Sequence, residues 1–267
     1  MTAGGASSDE RASLRRSRRG RRARRVVAGV AKELSRAVVI AVVVTVLLRA
    51  FGVQVFYIPS ASMESTLLEG DRVVVQKITS FRRGDVVTFQ DPGDWLKSET
   101  SPPGRIGRVL RSVGLPAPAG RGYLIKRVIG LPGDQVVCCD AGGRLSVNGT
   151  VLDESSYLFA SEGHETAASD VPFSVVVPRD RIFVLGDHRE VSADSRCHFS
   201  DRPDQPYGVD HSAFVPVDKV VGSAVAIAAP WNRLQRLRTP AVFAQVGAAP
   251  ASPSDIGLVT SPGVSCW

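Results

Sequence analysis

Cysteine is scarce in this chain, with four residues in 267. The four lack both the density of a disulfide-stabilised small domain and the spacing of a metal site. Cys138 and Cys139 are adjacent, so two separate bridges or one bridge to Cys197 are both open if this region lies outside the cell. We therefore expect no structural metal, and the pairing of the cysteines is not fixed by the sequence.

The familiar catalytic motifs are also missing. The sequence contains no Gly-x-Ser-x-Gly elbow, no His-Glu-x-x-His, no Ser-x-x-Lys and no Gly-x-x-x-x-Gly-Lys phosphate loop. The four histidines fall in polar or irregular stretches, which is typical of surface residues rather than of ligands or bases. These absences argue against the common serine hydrolases, zinc peptidases and nucleotide hydrolases, and no cofactor is expected.

The net charge of +7 arises from the amino-terminal segment of the chain. Residues 1–36 hold 11 basic and 3 acidic residues, whereas the rest of the chain holds 22 basic and 23 acidic residues. Because these arginines precede an apolar run, they indicate a cytoplasmic topogenic segment rather than a nucleic-acid-binding arm. We therefore expect no nucleic-acid partner, and residues 1–35 are predicted to be a disordered basic tail.

The apolar run that follows predicts a membrane anchor. From residue 37 to residue 58 the chain is apolar apart from three residues, Thr45, Arg49 and Gln54, and a helix over 36–57 is long enough to cross a bilayer. A cleavable secretion signal is the competing interpretation. The basic amino side predicts a cytoplasmic amino terminus, so the remainder of the chain is expected on the external face of the cell membrane.

Beyond the anchor the periodicity becomes that of strands. Short runs rich in β-branched and aromatic residues predict strands at 72–76, 85–89, 123–129, 135–138, 173–177, 181–185 and 220–228. Asn148-Gly149 predicts a two-residue hairpin, and Gly-Asp pairs at 70–71, 84–85 and 133–134 predict turns. The fold class is therefore mainly β, an antiparallel sheet domain over 58–238 that follows an N-terminal transmembrane helix.

Two insertions and a tail interrupt this pattern. Within residues 91–122, apolar residues recur at helical spacing with arginines between them, which predicts a short basic helix. This helix would either rest on anionic lipid or pack on the β core. Residues 160–170 are polar and predict a loop. Residues 239–267 are rich in Ala, Pro and Ser and predict a disordered tail.

Two stretches carry possible chemistry. Ser60 and Ser62 follow Pro59, whose ring restricts the backbone, directly after the apolar run. A polar loop capping the anchor is the plainer interpretation. Lys126 shares its strand face with Leu124 and Val128, and desolvation there would lower its pKa and supply a neutral amine. A neutral lysine can deprotonate a serine hydroxyl, although a lone strand lysine more often reaches solvent at a sheet edge.

Three ordered motifs resemble those of the bacterial type I signal peptidases, which use a Ser-Lys dyad. They are Ile58-Pro-Ser-Ala-Ser-Met-Glu-Ser-Thr-Leu67, Lys126-Arg-Val-Ile-Gly-Leu-Pro-Gly-Asp134 and Gly186-Asp-His-Arg-Glu-Val-Ser-Ala-Asp-Ser-Arg196. They follow an amino-terminal anchor in that family's order, and the resemblance spans about residues 37–230. It implies a membrane-bound serine endopeptidase that removes signal peptides from exported preproteins.

The resemblance also implies roles for particular residues. Ser62 would be the nucleophile and Lys126 its general base, while the Ser60 hydroxyl and the Ser62 amide would stabilise the oxyanion. Ser192 would orient the lysine amine. Asp194 would pair with Arg196 and Arg127, and Asp187 would belong to the same supporting segment. Beside the nucleophile, three apolar residues are candidates for substrate contact: Ile58, Met63 and Leu67.

The sequence departs from the family pattern at four positions. Ser65 replaces the proline that usually follows the nucleophile, and His188, Glu190 and Val191 replace Asn, Asp and Asn. The substitutions leave room for a non-catalytic, membrane-tethered scaffold. A self-cleaving Ser-Lys repressor protease is a further alternative, but its family is soluble. The expected partners are preprotein signal peptides, membrane lipid and, as a candidate, the secretion translocon.

Overall fold

In a computed structural model, the chain is described at residues 29–44, 52–78, 80–93, 95–96, 122–160, 167–170, 172–199, 212–249 and 258–260. It divides into two units, Met1–Ala50 and Phe51–Trp267. In the first unit residues 29–44 form a helix, α1, with exposed apolar side chains. Within the described ranges, no helix combines the length and apolarity required to cross a membrane.

The second unit is built on a large antiparallel sheet. Among the described residues it contains eight strands in the order β1-β2-β11-β3-β4-β9-β10, with β12 also pairing with β11. The bounds are β1 Val53–Tyr57, β2 Arg72–Gln76, β3 Val86–Gln90, β4 Tyr123–Gly130, β9 Arg181–Leu185, β10 Val215–Pro216, β11 Val220–Ala229 and β12 Gln235–Arg236. Adjacent β3 and β4 place Lys126 opposite Val87.

A smaller sheet packs beside it in the same unit. Its described strands follow the order β13-β8-β5-β6-β7 and are all antiparallel. The bounds are β5 Gln135–Cys138, β6 Ser146–Val147, β7 Thr150–Val151, β8 Phe173–Val176 and β13 Leu258–Thr260. The mainly β, antiparallel fold class expected from the sequence is confirmed for the described part of the chain.

The turns follow the predicted chemistry. Gly70, Gly84 and Gly133 all adopt positive φ, which only glycine tolerates easily. In each turn the following aspartate accepts a backbone N–H from three residues earlier: Leu68 to Asp71, Arg82 to Asp85 and Leu131 to Asp134. Asn148 and Gly149 also have positive φ, as a two-residue hairpin requires.

Three apolar clusters form the core. The largest joins the small sheet to the β4 and β9 end of the large sheet, around Ile129, Phe183 and Phe214. A second lies beneath β1 and β2 and includes Phe56, Met63 and Leu67. The third surrounds Val87, Phe89 and Val128. Lys126 is therefore carried by a strand with apolar packing along its length.

Several sequence-based boundaries are corrected. The helix predicted over 36–57 does not reach residue 57, because Val53–Tyr57 form β1 and pair with β2. The tail predicted to be disordered over 239–267 contains a short 3-10 helix, Ala241–Gln245, whose Phe243 is 5% exposed, and β13, which pairs with β8. These corrections add residues at both ends to the β domain predicted over 58–238. The disorder predicted over 1–35 is also wrong for residues 29–35, which are helical in α1.

Other predictions fall outside the described residues. These are the disorder of 1–28, the helical pattern within 97–121 and the loop at 161–166. At the end of that loop, Ala168 and Ser169 are described and buried. Cys138 and Cys139 are bonded to each other, and Cys197 is also disulfide-bonded, a combination that the sequence did not indicate.

Candidate active site

The loop between β1 and β2 presents the two serines. After Tyr57 the backbone stays extended through Ser60 and then forms one 3-10 turn, Ala61–Met63. Met63 and Leu67 anchor this turn in the second core cluster, and the Leu67 N–H donates to the Met63 carbonyl at 2.8 Å. The Ser62 side chain is thereby held on a packed turn.

Lys126 on β4 meets this loop. Its Nζ donates to the Ser62 Oγ at 2.6 Å, although the two residues are 64 positions apart in the chain. Lys126 is 4% exposed and Ser62 is 7% exposed. Because burial destabilises the ammonium form, the pKa of Lys126 is lowered to about 8, against the opposing influence of the Asp194 and Asp187 carboxylates.

Ser60 lies on the exposed side of the same loop. Its Oγ is 3.3 Å from the Ser62 Oγ, within hydrogen-bond distance. The two hydroxyls and the lysine amine therefore form a continuous chain that runs from the surface to the sheet interior. The arrangement can transfer a proton from a serine hydroxyl to a buried amine.

The segment after β9 packs against the other side of Ser62. The His188 N–H donates to the Ser62 carbonyl at 3.2 Å. A Cβ at Gly186 would lie 2.5 Å from that carbonyl and 2.1 Å from the Ser192 Oγ, so only glycine fits there. Ser192 is buried next to Gly186, but its Oγ has no hydrogen-bond partner within the described ranges. The expected bond from Ser192 to the Lys126 amine is thus not formed.

The charged residues form two ion pairs rather than the expected single group. Asp194 pairs with Arg196 at 2.9 Å and also accepts the Gly186 N–H at 3.0 Å. Burial alone would raise the pKa of Asp194, but Arg196 and these hydrogen bonds hold it below its usual range. Arg127 pairs with Asp187 at 2.5 Å, not with Asp194. The predicted Asp194–Arg127 pair is therefore wrong.

Arg127 links the dyad strand to the serine loop. Its guanidinium donates to both Asp187 oxygens, to the Gly84 carbonyl at 2.6 Å and to the Thr66 Oγ1 at 3.0 Å. Thr66 in turn donates to the Asp187 Oδ2 at 2.5 Å. Since Thr66 lies on the loop that carries Ser62, this network fixes that loop to β4 on one side and to the segment after β9 on the other.

A second buried network was not anticipated from the sequence. Arg189 donates to both oxygens of Glu154, to the Gly186 carbonyl at 2.9 Å and to the Ala168 carbonyl at 2.9 Å. The Tyr157 hydroxyl donates to the Glu154 Oε1, and the Arg127 guanidinium lies over the Tyr157 ring at 4.3 Å. Arg189 lies within one of the three family motifs, whereas Glu154 and Tyr157 lie outside them, and their contacts with Arg189 and Arg127 join residues that are distant in the chain.

His188, one of the departures from the family pattern, lies beside Ser62. Its ring stacks on Phe159 with centroids 4.0 Å apart, and its Nδ1 is 3.2 Å from the Glu64 Oε2. Aromatic stacking and a charged neighbour therefore occupy the position where the family pattern has an asparagine. The substitution changes the wall of the site and leaves the contact between Lys126 and Ser62 in place.

The three candidates for substrate contact are corrected. Ile58, Met63 and Leu67 are almost completely buried and belong to the second core cluster. Their side chains hold the serine loop on the sheet and offer no surface to a peptide. These residues were candidates because they are apolar and close to Ser62 in the sequence. Their apolar side chains instead pack in the core beneath the loop.

Several known proteins are similar to this chain in sequence. The family model described as signal peptidase, peptidase S26, matches residues 31–229. The chain is 34% identical over 197 residues to a probable signal peptidase I-2 from Synechocystis sp., covering 72% of this chain and 70% of the relative. It is also 34% identical to a signal peptidase I from Leptolyngbya laminosa, covering 75% of this chain and 81% of the relative. It is 32% identical to a signal peptidase I from Mycobacterium tuberculosis, covering 76% of this chain and 74% of the relative.

A crystal structure of a signal peptidase I from Enterococcus faecalis has a TM-score of 0.33 at 25% identity, covering 55% of this chain and 97% of that chain. A score of that size supports no statement about the fold. The family model and the three relatives each cover more than two thirds of this chain. On these matches, the chain belongs to the signal peptidase I family of serine peptidases.

Proposed function

We propose that this chain is a membrane-bound serine endopeptidase that cleaves N-terminal signal peptides from exported preproteins, with Ser62 as nucleophile and Lys126 as general base. The observation that carries the proposal is the 2.6 Å contact between the Lys126 Nζ and the Ser62 Oγ, both buried. With a pKa of about 8 for Lys126, roughly one tenth of the amine is neutral at pH 7, which is sufficient for a general base.

In the first half of the reaction, neutral Lys126 takes the proton of the Ser62 hydroxyl, and the Oγ attacks the carbonyl carbon of the residue before the cleavage point. The Ser60 hydroxyl and the Ser62 N–H donate to the oxyanion that forms. The ammonium of Lys126 then donates its proton to the leaving amine as the peptide bond breaks. An ester between Ser62 and the signal peptide remains.

In the second half, Lys126 deprotonates a water molecule that attacks this ester. The C–O bond to Ser62 breaks, and the lysine returns the proton to the serine oxygen. Asp187 and Asp194 favour the protonated lysine electrostatically, which stabilises the ammonium that each transfer produces. The cycle requires no cofactor.

Ser192 has a supporting role in this proposal. Its buried Oγ lies next to Gly186 and has no partner within the described part of the chain. A change of rotamer toward the lysine amine would satisfy the hydroxyl and hold the amine in one direction. Asp194 with Arg196, and Asp187 with Arg127, hold the segment that carries it.

The substrate is proposed from the family resemblance and from the sheet edge. Small side chains, typically alanine, are expected one and three residues before the cleavage point. β1 is the outer strand of the large sheet in the described order and leads directly into the serine loop. An extended peptide that adds to this edge would run toward Ser62.

Membrane attachment is part of the same proposal. The α1 helix exposes Val38, Ile40 and Val43 among other apolar side chains, and a strongly basic segment precedes it. A bilayer would cover these side chains, with the amino terminus on the cytoplasmic face and the β unit outside. Membrane lipid and preproteins are then the partners, with the translocon as a further candidate.

The dyad is tested by cleavage of a purified preprotein by the full chain. Ser62→Ala and Lys126→Ala should each lower kcat by roughly 1000-fold or more, because neither group can act without the other. Matched controls are Ser174→Ala on the small sheet and Lys77→Ala at an exposed position, which should leave kcat within about twofold. Comparable cleavage by either dyad variant would reject the mechanism, and an inactive unmodified chain would favour the scaffold alternative.

A further inference from the structure

The loop that carries Ser62 is closed at its base by Asp71. The Ile58 N–H donates to the Asp71 carbonyl at 2.9 Å, and the Gly70 N–H donates to the Ile58 carbonyl at 2.9 Å. The Asp71 carboxylate is 1% exposed and accepts the Leu68 N–H at 2.9 Å. Main-chain hydrogen bonds therefore close the loop at Asp71, and the buried Asp71 carboxylate adds a further bond to the loop backbone at Leu68.

The carboxylate is held from the far end of the chain by Arg233. The Arg233 Nε donates to the Asp71 Oδ1 at 2.8 Å and its Nη2 donates to the Oδ2 at 3.0 Å, across 162 positions. Arg233 ends a 3-10 turn, Trp231–Arg233, that follows β11 directly. It lies just beyond the residues 31–229 that match the family model.

We propose that Arg233 is a positioning residue that sets the Ser62 loop for catalysis by clamping Asp71 to the segment after β11. This inference rests on Ser62 being the nucleophile. Two of the loop's attachments are ion-pair networks: Thr66 joins it to Arg127 and Asp187, and Asp71 joins it to Arg233 at its base. These networks act at opposite ends of a short loop, so together with its main-chain bonds and core packing they restrain its orientation.

The clamp requires arginine rather than any cation. The planar guanidinium donates two parallel hydrogen bonds to the two carboxylate oxygens, and this geometry fixes the direction of the carboxylate. A lysine ammonium supplies the charge but only a single point of contact. Arg233→Lys therefore keeps the ion pair and removes the directional restraint, which separates positioning from charge compensation.

The chain contains a matched pair that does not reach Ser62. Arg83 donates its Nε and Nη2 to the two oxygens of Asp134 at 2.5 and 2.6 Å. Asp134 is buried in an equivalent Gly-Asp turn and accepts the Leu131 N–H, as Asp71 accepts that of Leu68. Because the Asp134 turn carries no residue of the dyad, Arg83→Lys is a control with the same chemistry and a similar burial.

The experiment compares Arg233→Lys, Arg83→Lys and Ser62→Ala in the full chain with a preprotein substrate. Arg233→Lys should lower kcat about 10-fold, since a displacement well under 1 Å at the nucleophile suffices for that loss. KM should stay within about twofold, and the pH midpoint should not move, because Arg233 does not influence Lys126. Arg83→Lys should reduce thermal stability similarly and leave kcat within about twofold.

Equal kcat in the two lysine variants, whether both are normal or both reduced, would overturn the clamp. Arg233→Ala, which leaves the buried Asp71 carboxylate without its partner, should unfold at a lower temperature and lose more kcat than Arg233→Lys. Ser62→Ala separates the two proposals. An active Ser62→Ala rejects the nucleophile itself, whereas an inactive Ser62→Ala with normal Arg233→Lys rejects only the clamp.

Discussion

Lys126 lies among groups that change its pKa in opposite directions. Burial favours the neutral amine, and the Arg196 guanidinium adds to that effect, whereas the Asp194 and Asp187 carboxylates favour the ammonium. The balance brings the pKa to about 8, between that of a free lysine and neutrality. A pKa in this range suits the proposed role, in which Lys126 would accept and donate a proton twice per cycle.

The first prediction concerns pH. Because only the neutral amine acts as a base, kcat/KM should rise with pH, by close to tenfold per unit below about pH 7, and level off above about pH 9. The measurement is the initial rate of cleavage of a peptide substrate at low concentration across this range. A rate that is constant across the range would show that Lys126 is not the titrating group.

Ser65 supplies the second prediction. It stands where the family pattern has proline, but its φ is +86°, which a proline ring cannot adopt. Restoring the family residue with Ser65→Pro should therefore destabilise the protein by about 2 kcal/mol or more and reduce activity. Ser65→Gly should be neutral or slightly stabilising, because glycine relieves the left-handed conformation.

Thermal unfolding of both variants tests this prediction. Ser65 is exposed, so lost packing does not complicate the comparison. A Ser65→Pro variant with normal stability would mean that the turn after Ser62 has the backbone of the family pattern. In that case the departure at this position would have no structural consequence.

At the scale of elements, strands that are specified by local sequence pattern were predicted correctly. Features that depend on contacts between residues distant in the chain were not. β2, β5 and β9 have the predicted bounds, since a run of β-branched residues between turn residues specifies a strand locally. The sequence pattern includes β1 in the predicted membrane anchor, because its apolar residues continue the apolar run that begins at residue 37. Only pairing with β2 distinguishes it, and that pairing depends on the Gly70-Asp71 turn further along the chain.

The same reasoning applies to the candidate site. Ser62 and Lys126 were selected from the motifs, and their contact depends on the order of strands in the sheet, which no local pattern contains. Of the charged pairs, the resemblance implied Asp194 with Arg196, which forms, and Asp194 with Arg127, which does not. The partners of Arg127 and Arg189, Asp187 and Glu154, lie far away in the chain and are identified only by the distances.

Phe243 provides a prediction at this scale. The residue belongs to the segment expected to be disordered, yet its ring lies against Gly84 and stacks near Tyr157. Phe243→Ala should cost about 3 kcal/mol of folding free energy, as for other buried aromatic truncations. The control is Val242→Ala, which removes a partly buried neighbour and should cost about 1 kcal/mol.

Urea unfolding monitored by fluorescence measures both losses. The pH midpoint of activity should be the same in the two variants, because neither residue influences Lys126. A loss below about 1 kcal/mol for Phe243→Ala would indicate that the carboxyl-terminal segment does not contribute to the core.

At the scale of the whole molecule, the candidate site and the apolar core lie in one unit, and the proposed membrane attachment lies in the other. All three apolar clusters and both sheets lie within Phe51–Trp267, whereas Met1–Ala50 contains the basic segment and α1. A unit that contains its own core is expected to fold alone. In the proposed function, the amino-terminal unit would determine where the enzyme acts, and the second unit would carry out the reaction.

The corresponding prediction is that a chain beginning at residue 51 unfolds in a single cooperative transition and cleaves a short soluble peptide with unchanged kcat and pH midpoint. Its rate on a preprotein presented in lipid vesicles should fall at least about 10-fold, because the anchor no longer concentrates the enzyme at the surface. Loss of cooperative unfolding would show that the amino-terminal unit is required for folding. An undiminished rate on vesicles would instead show that it is not an anchor.

Lys126 and Arg127 are consecutive on β4, and their side chains reach different partners, the Ser62 hydroxyl and the Asp187 carboxylate. One cation must be able to lose its proton, and the other never does at any pH at which the protein stays folded. The pleat of the strand directs consecutive side chains to opposite faces of the sheet, and this keeps the two groups apart. A shift of this strand by one residue would turn both side chains to the opposite face of the sheet, so that a permanently charged guanidinium would replace the titratable amine on the face of the hydroxyl and the proposed base would be lost from a molecule that still folds.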